Sequence, residues 1–406
     1  GNFSLRLGKW AGMWYAEKKE QREEIPVSYL DKAKALEEYM VSLRRHFHQH
    51  PEKSMEERET TAFIMARLNE IGIPHRKLSP SGVVAEIAGG RPGKTVALRA
   101  DMDALTIQEE TGLPFASEAE GLMHACGHDL HMAGLLGAAK LLWQERQSLG
   151  GNVRLIFQPG EEVGKGAKAV IEQGGMEGVD MVFGMHNMPS LPAGTVAGSV
   201  GPVFSAADYF KITIQGKAGH GATPEDAIDA TVAASALVMN LQPLVSREIS
   251  SLESLVITVG QLHSGTRFNI ISGESVLEGT VRSFDPTIHD MVPAAMERVV
   301  EGIARAYRVE AKLEYDKVAK ACVNEEGFTD LCLKSAGKVA QVAPEGRQMI
   351  AEDFSEYMQL CPGAFFLYGS GCEYPLHSDH FAGDEQALIT ACAMYAQVAV
   401  DALGQI

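Results

Sequence analysis

Apolar positions in the first half of the chain alternate between two spacings. Four stretches have the spacing of an amphipathic or buried helix: 30–46, 56–71, 129–145 and 166–173. Short runs rich in β-branched residues, typical of strands, lie at 83–88, 95–99, 152–157 and 179–185. Strands that alternate with helices predict an α/β fold, with a mixed, largely parallel sheet flanked by helices.

The pattern changes near residue 205. Strand-like and helical stretches follow in the order β–α–β–β–α–β, which is typical of a ferredoxin-like unit. These stretches are 209–215, 227–244, 255–262, 274–282, 288–307 and 309–315. A helix, a strand at 364–367 and a closing helix at 385–403 complete the chain. We therefore predict four parts: an N-terminal arm (1–25), a catalytic domain in two pieces (26–204 and 316–406) and an inserted α+β ferredoxin-like domain (205–315).

Composition narrows the function classes. The 406 residues include 36 Lys and Arg against 53 Asp and Glu, a net charge of −17. So acidic a surface repels phosphate backbones and anionic lipid, and we expect neither nucleic acid nor a membrane as partner. The six cysteines follow no short, regular spacing, which favours reduced thiols in a cytoplasmic protein. A small anionic substrate would need a local positive centre, formed by Arg, by His or by a metal.

Membrane-associated segments are not expected either. No run approaches the roughly 18 apolar residues that a membrane helix needs. The segment up to Glu24 mixes Trp10, Trp14 and Tyr15 with a run of charges from Glu17, and it lacks the apolar core of a signal peptide. We expect an amphipathic arm that packs on the body of the protein.

Side chains of the metal-binding type cluster where the predicted strands end. In open α/β sheets, sites lie outside the carboxyl ends of the strands, so these segments should converge. The side chains concerned are Asp101, Asp103, Cys126, His128, Glu161, Glu162 and His186. Each alone has an ordinary explanation, as a buried thiol, a solvated acidic pair or a core histidine. Their coincidence at one edge of the sheet favours a metal site.

The residue types suit hydrolytic metal chemistry. Cys126 and His128, one residue apart, can point at one ion from an extended turn. Glu161 and Glu162 are adjacent, and adjacent side chains diverge in extended backbone. One of the two can bind metal while the other acts as general base on water. His131, one turn beyond His128, is expected to be a helix-face residue rather than a ligand.

Six strings in order, RADMDAL, HACGHD, FQPGEE, GMHN, GHGATP and LHSDHF, resemble the aminoacylase and hippurate-hydrolase branch of the co-catalytic metallopeptidases, which includes plant indole-acetyl-amino-acid amidohydrolases. The resemblance runs from about Tyr39 to Leu403. It implies a general base at Glu161 and a structural or metal-polarising role for Asp101 and Asp103. The metal ligands that it implies are Cys126, His128, Glu162, His186 and His377.

The resemblance also implies two divalent ions per subunit, Zn or Mn; the mixed sulfur, nitrogen and oxygen set leaves Co or Ni open. His380 is a local rival of His377, which we prefer because it follows Leu376 as the histidine of the motif does. Asp379 stands where the family usually has Pro, which leaves the loop conformation open.

In the inserted domain, the resemblance implies a second set of residues. His220, Asn269 and Arg282 match residues that grip the substrate carboxylate and carbonyl oxygen in related lid-bearing enzymes. There the histidine reaches across a dimer interface, so the insert is expected to be a lid and dimerisation domain of a homodimer. Asn269 and Arg282 are 282 − 269 = 13 residues apart, which suits a strand-turn-strand. Phe268 replaces the small or polar residue expected before the asparagine.

The function that these residues favour is metal-dependent hydrolysis of the amide bond of N-acyl amino acids, small-molecule substrates. A metallo-dipeptidase or carboxypeptidase would share the metal core and differ in the pocket. Two further hypotheses are a thiol hydrolase using Cys126 with His128 and a metal-dependent binding protein without catalysis. Retention of both Glu161 and Glu162 speaks against the binding protein, because a site without catalysis would be free to lose the base.

Overall fold

The computed structural model describes residues 28–344 and 347–404, so the predicted arm at 1–25 lies outside the described residues. Within these ranges the α-helices are α1 (Tyr29–Lys34), α2 (Glu37–Gln49), α3 (Arg58–Ile71), α4 (His128–Glu145), α5 (Gly166–Glu172), α6 (Ala230–Pro243), α7 (Pro286–Tyr307), α8 (Glu326–Val339) and α9 (Ala387–Gly404). The strands are β1 (His75–Lys77), β2 (Val83–Ala88), β3 (Arg91–Asp101), β4 (Gly150–Gln158), β5 (Met181–Met188), β6 (Thr195–Ala197), β7 (Gly201–Phe204), β8 (Ala206–Gln215), β9 (Gly219–His220), β10 (Leu255–Ser264), β11 (Ile270–Ile271), β12 (Glu274–Ser283), β13 (Glu310–Ala319), β14 (Cys322–Asn324), β15 (Gln341–Ala343) and β16 (Gly363–Gly369).

The main sheet has eight strands in the order β1-β2-β4-β3-β5-β16-β6-β15. Its centre, β4-β3-β5-β16, is parallel, whereas β1, β2 and β6 pair antiparallel with their neighbours β2, β4 and β16. Every residue of β5 is buried, as expected of a parallel strand covered on both faces. The predicted α/β fold, with its mixed and largely parallel sheet, is confirmed.

The insert forms a separate four-stranded antiparallel sheet in the order β10-β12-β8-β13, with α6 and α7 packed against it. Both helices begin at an aspartate N-cap: Asp229 accepts the N–H of Thr231, and Asp285 accepts that of Thr287. The insert also has a hydrophobic core of its own. The ferredoxin-like order of elements is as predicted, and β13 continues to Ala319, past the predicted boundary at 315.

Two features at the ends of the main domain differ from expectation. The predicted helix 30–46 is two helices, because Leu36, with φ −102° and ψ 7°, interrupts it. The break lets α1 pack on α9 while α2 packs on α4, and the sequence carries no Gly or Pro to mark it.

Helix α9 is more apolar than expected for this chain. By length and composition it could cross a membrane, with a mean hydropathy of 1.5, so the expectation that no run approaches this length is wrong. However, 78% of this window is buried inside the protein, where α9 packs against α1, α4 and α8. It is the central helix of the core on this face of the sheet.

Two connections join the insert to the main domain, one before β8 and one after β13. At the first, the backbone N–H of Ser205 donates to the carbonyl of Ile350 at 3.0 Å. At the second, β14 pairs with β7. Residues 347–351, here called the strap, therefore lie against the joint between the two sheets.

Candidate active site

Parallel strands bring the predicted segments to one edge of the main sheet. β3 ends at Asp101, β4 ends at Gln158 shortly before Glu161, and β5 carries His186 close to its end. Because β3 pairs in parallel with both β4 and β5, these ends share one side of the sheet. Convergence at this edge is as the sequence predicted.

Helix α4 begins at this edge, and the turn that precedes it packs tightly against Asn187. Gly127, with φ +82°, precedes the helix, and a Cβ there would lie 2.3 Å from Nδ2 of Asn187. That amide donates to the carbonyl of Cys126 at 2.6 Å. The close approach places Cys126 and His128 on either side of the turn.

The structure brings the five predicted ligand residues together. Sγ of Cys126 lies 3.3 Å from Nε2 of His186. Oε1 of Glu162 lies 3.9 Å from Nε2 of His128 and 3.5 Å from Nε2 of His377. The ligand atoms of Cys126, His128 and Glu162 all lie within 4.8 Å of one another.

Hydrogen bonds behind the histidines aim their lone pairs inward. Nδ1 of His128 donates to the backbone carbonyl of Asp103 at 2.8 Å, and Nδ1 of His186 donates to that of Asn187 at 2.8 Å. Nε2 of each ring then faces the other ligand atoms, where it could coordinate a cation. Nε2 of His128 and Oε1 of Glu162 are buried without a hydrogen-bond partner among the described residues. This arrangement of sulfur, nitrogen and oxygen fits divalent metal ions.

The protonation of the predicted ligands depends on the charge that a metal would bring. Burial would lower the pKa of His128, but the carboxylates of Asp101 and Asp103 raise it to about 10, so its ring is protonated without a dication. Burial, and then the charges of Glu162 and Glu161, raise the pKa of the Cys126 thiol well above its ordinary value. Burial lowers the pKa of His186 well below its usual range, so that its imidazole is neutral at physiological pH. A nearby dication would deprotonate such a thiol outright. Without one the thiol stays protonated, which argues against an unassisted cysteine nucleophile.

Asp103 accepts backbone hydrogen bonds from both Glu161 and Glu162. Its Oδ1 accepts the backbone N–H of Glu161 at 3.1 Å, and its Oδ2 accepts that of Glu162 at 3.0 Å. Burial would raise the pKa of Asp103, but the hydrogen bond from His128 lowers it below the ordinary value. The geometry favours the structural role among those implied for Asp103.

Glu161 lies in a strongly acidic pocket. Burial, and then the charges of Glu352 and Glu162, raise its pKa well above the ordinary value. Carboxylate oxygens of Glu161, Glu352 and Asp353 lie within 4.8 Å of one another. Buried Arg99 binds Glu352 at 2.9 Å and Asp353 at 3.0 Å. Arg99 therefore offsets part of the negative charge around Glu161.

Glu352 and Asp353 were not predicted as site residues; their signal in the sequence is an acidic pair directly after Met349-Ile350-Ala351. His131, expected to be a helix-face residue rather than a ligand, lies on α4 and is fully buried beside the site. Nδ1 of His131 bonds Asp101 at 2.5 Å, and its Nε2 accepts the N–H of Asn187 at 3.0 Å. Both ring nitrogens are thus occupied, so His131 orients Asp101 beside the ligands.

The two rival histidines near the C-terminus are separated in space. His377, with φ +66°, donates its backbone N–H to the carbonyl of Ala125 at 2.8 Å, which ties it to the turn that carries Cys126. His380 instead bonds Asp379 at 2.6 Å, and its ring lies 5.1 Å from that of Tyr374. Only His377 of the two lines the cavity described next.

A cavity of about 520 Å³ opens beside the ligand atoms. Its walls come from the main domain, from the strap and from the insert, which contributes Ala207, Arg282, Val318 and Ala319. His220, on β9, and Asn269, just before β11, are instead exposed and lie outside this lining. The N–H of Gly221 bonds the carbonyl of Asn269. Phe268 beside them is 100% exposed. One chain thus unites Arg282, but not His220 or Asn269, with the predicted metal centre.

Comparison with known proteins agrees with this geometry. The model of peptidase family M20/M25/M40 matches residues 97–401, which span both pieces of the main domain and the insert. The chain belongs to this family. The resemblance stated from the six motifs is thereby confirmed.

Two relatives and one solved structure indicate the range of this family. An N-acetyl-L-cysteine deacetylase of Bacillus subtilis is 44% identical over 358 residues, 88% of this chain and 86% of the relative. Thermostable carboxypeptidase 1 of Saccharolobus solfataricus is 38% identical over 375 residues, 90% of this chain and 95% of the relative. The crystal structure of a dinuclear metal-binding M20 peptidase of Bacillus subtilis has a TM-score of 0.84 at 38% identity, covering 92% of this chain and 100% of that one.

Proposed function

We propose that this M20 protein is a binuclear metal-dependent amidohydrolase that cleaves N-acyl amino acids into a carboxylic acid and a free amino acid. The observation that carries the proposal is that ligand atoms with no partner among the described residues converge with partly buried Glu161 in a cavity that also contains Arg282. The deacetylase relative, named for an N-acyl amino acid, supports this substrate class.

Two divalent ions would be held by Cys126, His128, Glu162, His186 and His377. We propose Zn or Mn, with Co or Ni as alternatives. Sulfur and imidazole favour Zn by softness, while the carboxylate leaves Mn open. Once bound, the ions would supply Lewis acidity that polarises the amide carbonyl and lowers the pKa of water.

The side chains of the chain then perform the proton transfers. Glu161 takes a proton from the attacking water and then passes it to the leaving amine nitrogen, so one carboxyl group acts first as base and then as acid. Arg282 binds the carboxylate of the amino acid, for which a guanidinium can offer two parallel N–H donors. The apolar part of the cavity, which includes Phe204, Met349 and Leu376, excludes water from around the scissile bond.

The decisive experiment for the activity is a hydrolysis screen of N-acetyl and N-benzoyl amino acids, with Zn²⁺ and Mn²⁺ supplied in turn. We expect release of free amino acid, and a Glu161→Gln variant that keeps its metal but loses most of its turnover, by about 100-fold or more. Full turnover by this variant would remove Glu161 from the mechanism, and a blank on every acyl amide would refute the proposed activity.

A homodimer through the insert would complete the site. His220 and Asn269 are exposed and lie outside the cavity of their own chain, which is the placement expected if they act in the partner's site and contact substrate oxygens there. Mixing inactive Glu161→Gln and His220→Ala subunits tests this. Random exchange should restore about a quarter of wild-type activity, because half of the dimers would then contain one intact site of two. No recovery after verified exchange would place His220 outside the partner's site.

Carboxypeptidase activity is the second candidate, favoured by the relative of that name. It would use the same metal centre and the same Arg282. Faster cleavage of free-amine dipeptides than of the matching N-acetyl amino acids would favour it.

The six cysteines, all unpaired, are consistent with the reducing cytoplasm, which we propose as the location.

A further inference from the structure

The loop that carries the acidic pair is held by three buried carboxylates from distant parts of the chain. Glu57 accepts the backbone N–H of Gly160 at 2.8 Å, at the start of the loop. Asp103 accepts the N–H groups of the next two residues, Glu161 and Glu162. Asp353 accepts the N–H of Ala167 at 2.9 Å, where the loop enters α5. Glu57 directly precedes α3 near the start of the chain, whereas Asp353 follows the strap near its end.

Glu57 is unusual because it is fully buried and has no cationic partner among the described residues. Its Oε1 accepts the N–H of Met55 at 2.9 Å as well as that of Gly160. Its Oε2 accepts the hydroxyl of Ser81 at 2.5 Å. A buried carboxylate without a cation is costly, and a neutral side chain could fill the same space. Its three donors show what the carboxylate is used for: it ties two backbone segments together.

The two segments that Glu57 joins are in direct contact. Gly160 has φ +61°, and a Cβ there would lie 2.4 Å from Sδ of Met55. Met55 itself has φ +66°, a conformation that non-glycine residues rarely adopt. One oxygen of Glu57 thus fixes both a strained residue and the glycine that it packs against. Gly160 is covalently bonded to Glu161, so this contact sets where the backbone of Glu161 begins.

We propose that Glu57 is a positioning residue for Glu161 and Glu162, acting through the N–H of Gly160. The inference rests on the proposed function, in which Glu161 is the general base and Glu162 a ligand. Without the acceptor, a glycine with a wide choice of backbone angles would lead directly into the reacting pair. A displacement of about 1 Å at a reacting group can lower the rate by roughly 100-fold.

Two substitutions at Glu57 separate the effect of side-chain length, here called its reach, from the effect of its charge. Glu57→Asp keeps the charge but shortens the side chain, so its carboxylate withdraws from Gly160. Glu57→Gln keeps the reach and one acceptor oxygen but loses the charge, and a neutral acceptor is the weaker one. We expect Glu57→Asp to lower kcat by roughly tenfold to 100-fold with KM within about twofold. We expect Glu57→Gln to lower kcat by only about two- to fivefold. Exposed Glu56→Gln, next in the chain, is the matched control.

Two readouts need no substrate. Zn²⁺ affinity should fall roughly tenfold in Glu57→Asp, because Glu162 lies on the same loop. Hydrogen exchange of the peptide 158–167 should be faster in Glu57→Asp than in Glu57→Gln, and faster in Glu57→Gln than in wild type. If wild type hydrolyses no acyl amide, the proposed function fails, yet these two measurements still decide the role of Glu57.

Wild-type kcat, Zn²⁺ affinity and exchange in Glu57→Asp would overturn the inference. Equal impairment of the Asp and Gln variants would also overturn it, because the length of the side chain would then matter no more than its charge. If Glu57→Asp does not fold, Glu57→Gln decides: unchanged kcat and unchanged exchange of 158–167 would refute the role. A lower kcat together with faster exchange in that peptide would support it.

Discussion

Arg282 offers the sharpest test of the proposed substrate class, because it is the guanidinium of the insert that faces the candidate metal centre. It is half-buried in the cavity wall, where it donates to the carbonyl of Val281 at 3.1 Å and to the hydroxyl of Thr280. No carboxylate lies within ion-pair distance of it among the described residues. Its charge is therefore available to an anionic substrate.

The expected magnitude follows from this position. A hydrogen bond to a charged group contributes about 1.5–3 kcal/mol, and every 1.4 kcal/mol is tenfold in rate or affinity. Because Arg282 is only half-buried, solvent screening places the effect near the lower end. We expect Arg282→Met, which keeps the length but removes the charge, to lower kcat/KM for N-acetylmethionine by roughly 10- to 30-fold.

The assay compares two substrates that differ only in charge. For N-acetylmethionine amide, which lacks the carboxylate, Arg282→Met should change kcat/KM by no more than about threefold. Arg305→Met, at an exposed position on α7 of the same insert, serves as the control. An equal loss on both substrates would show that Arg282 supports the cavity wall and does not read the carboxylate.

The remaining predictions concern pH and metal. Buried His48 bonds Asp129 at 2.9 Å and Glu109 at 3.2 Å; burial alone would lower its pKa, but these partners raise it from 6.5 to about 8. The stabilisation, about 2 kcal/mol, is complete below pH 6.5 and is lost as pH rises through about 8. Melting temperature measured from pH 6 to 9 should fall less in His48→Gln than in wild type; parallel curves would contradict this. Chelation should abolish activity, and Co²⁺-loaded wild type should show a thiolate-to-cobalt absorption band that Cys126→Ser lacks; activity that survives chelation would favour the thiol mechanism.

The parts of the fold that the sequence predicted well are those specified by local periodicity. β2 was predicted to the residue, and most other elements lay within a few residues of their observed bounds. Strand ends then located the site, because parallel strands necessarily share their carboxyl edge. Cys126, His128, Glu161 and His186 could be inferred in this way from their own segments.

What local pattern could not predict depends on pairing between distant segments. His377 approaches Glu162 because the backbone N–H of His377 binds Ala125, and nothing in the spacing of either segment signals this bond. His131 looked like a helix-face residue because its partners, Asp101 and Asn187, lie on two other strands. Only the motif resemblance supplied His377, and neither route supplied His131.

Arg282 and Glu161 face one cavity from two bodies that meet at Ser205 and at the pairing of β7 with β14. If this joint opens after hydrolysis, the amino acid travels with Arg282 on the insert while the carboxylic acid stays on the main sheet. Cleavage and departure of the products would then be mechanically linked, since the motion that admits a new substrate also pulls the two fragments apart. The order of product release would be set by the joint as well as by affinity.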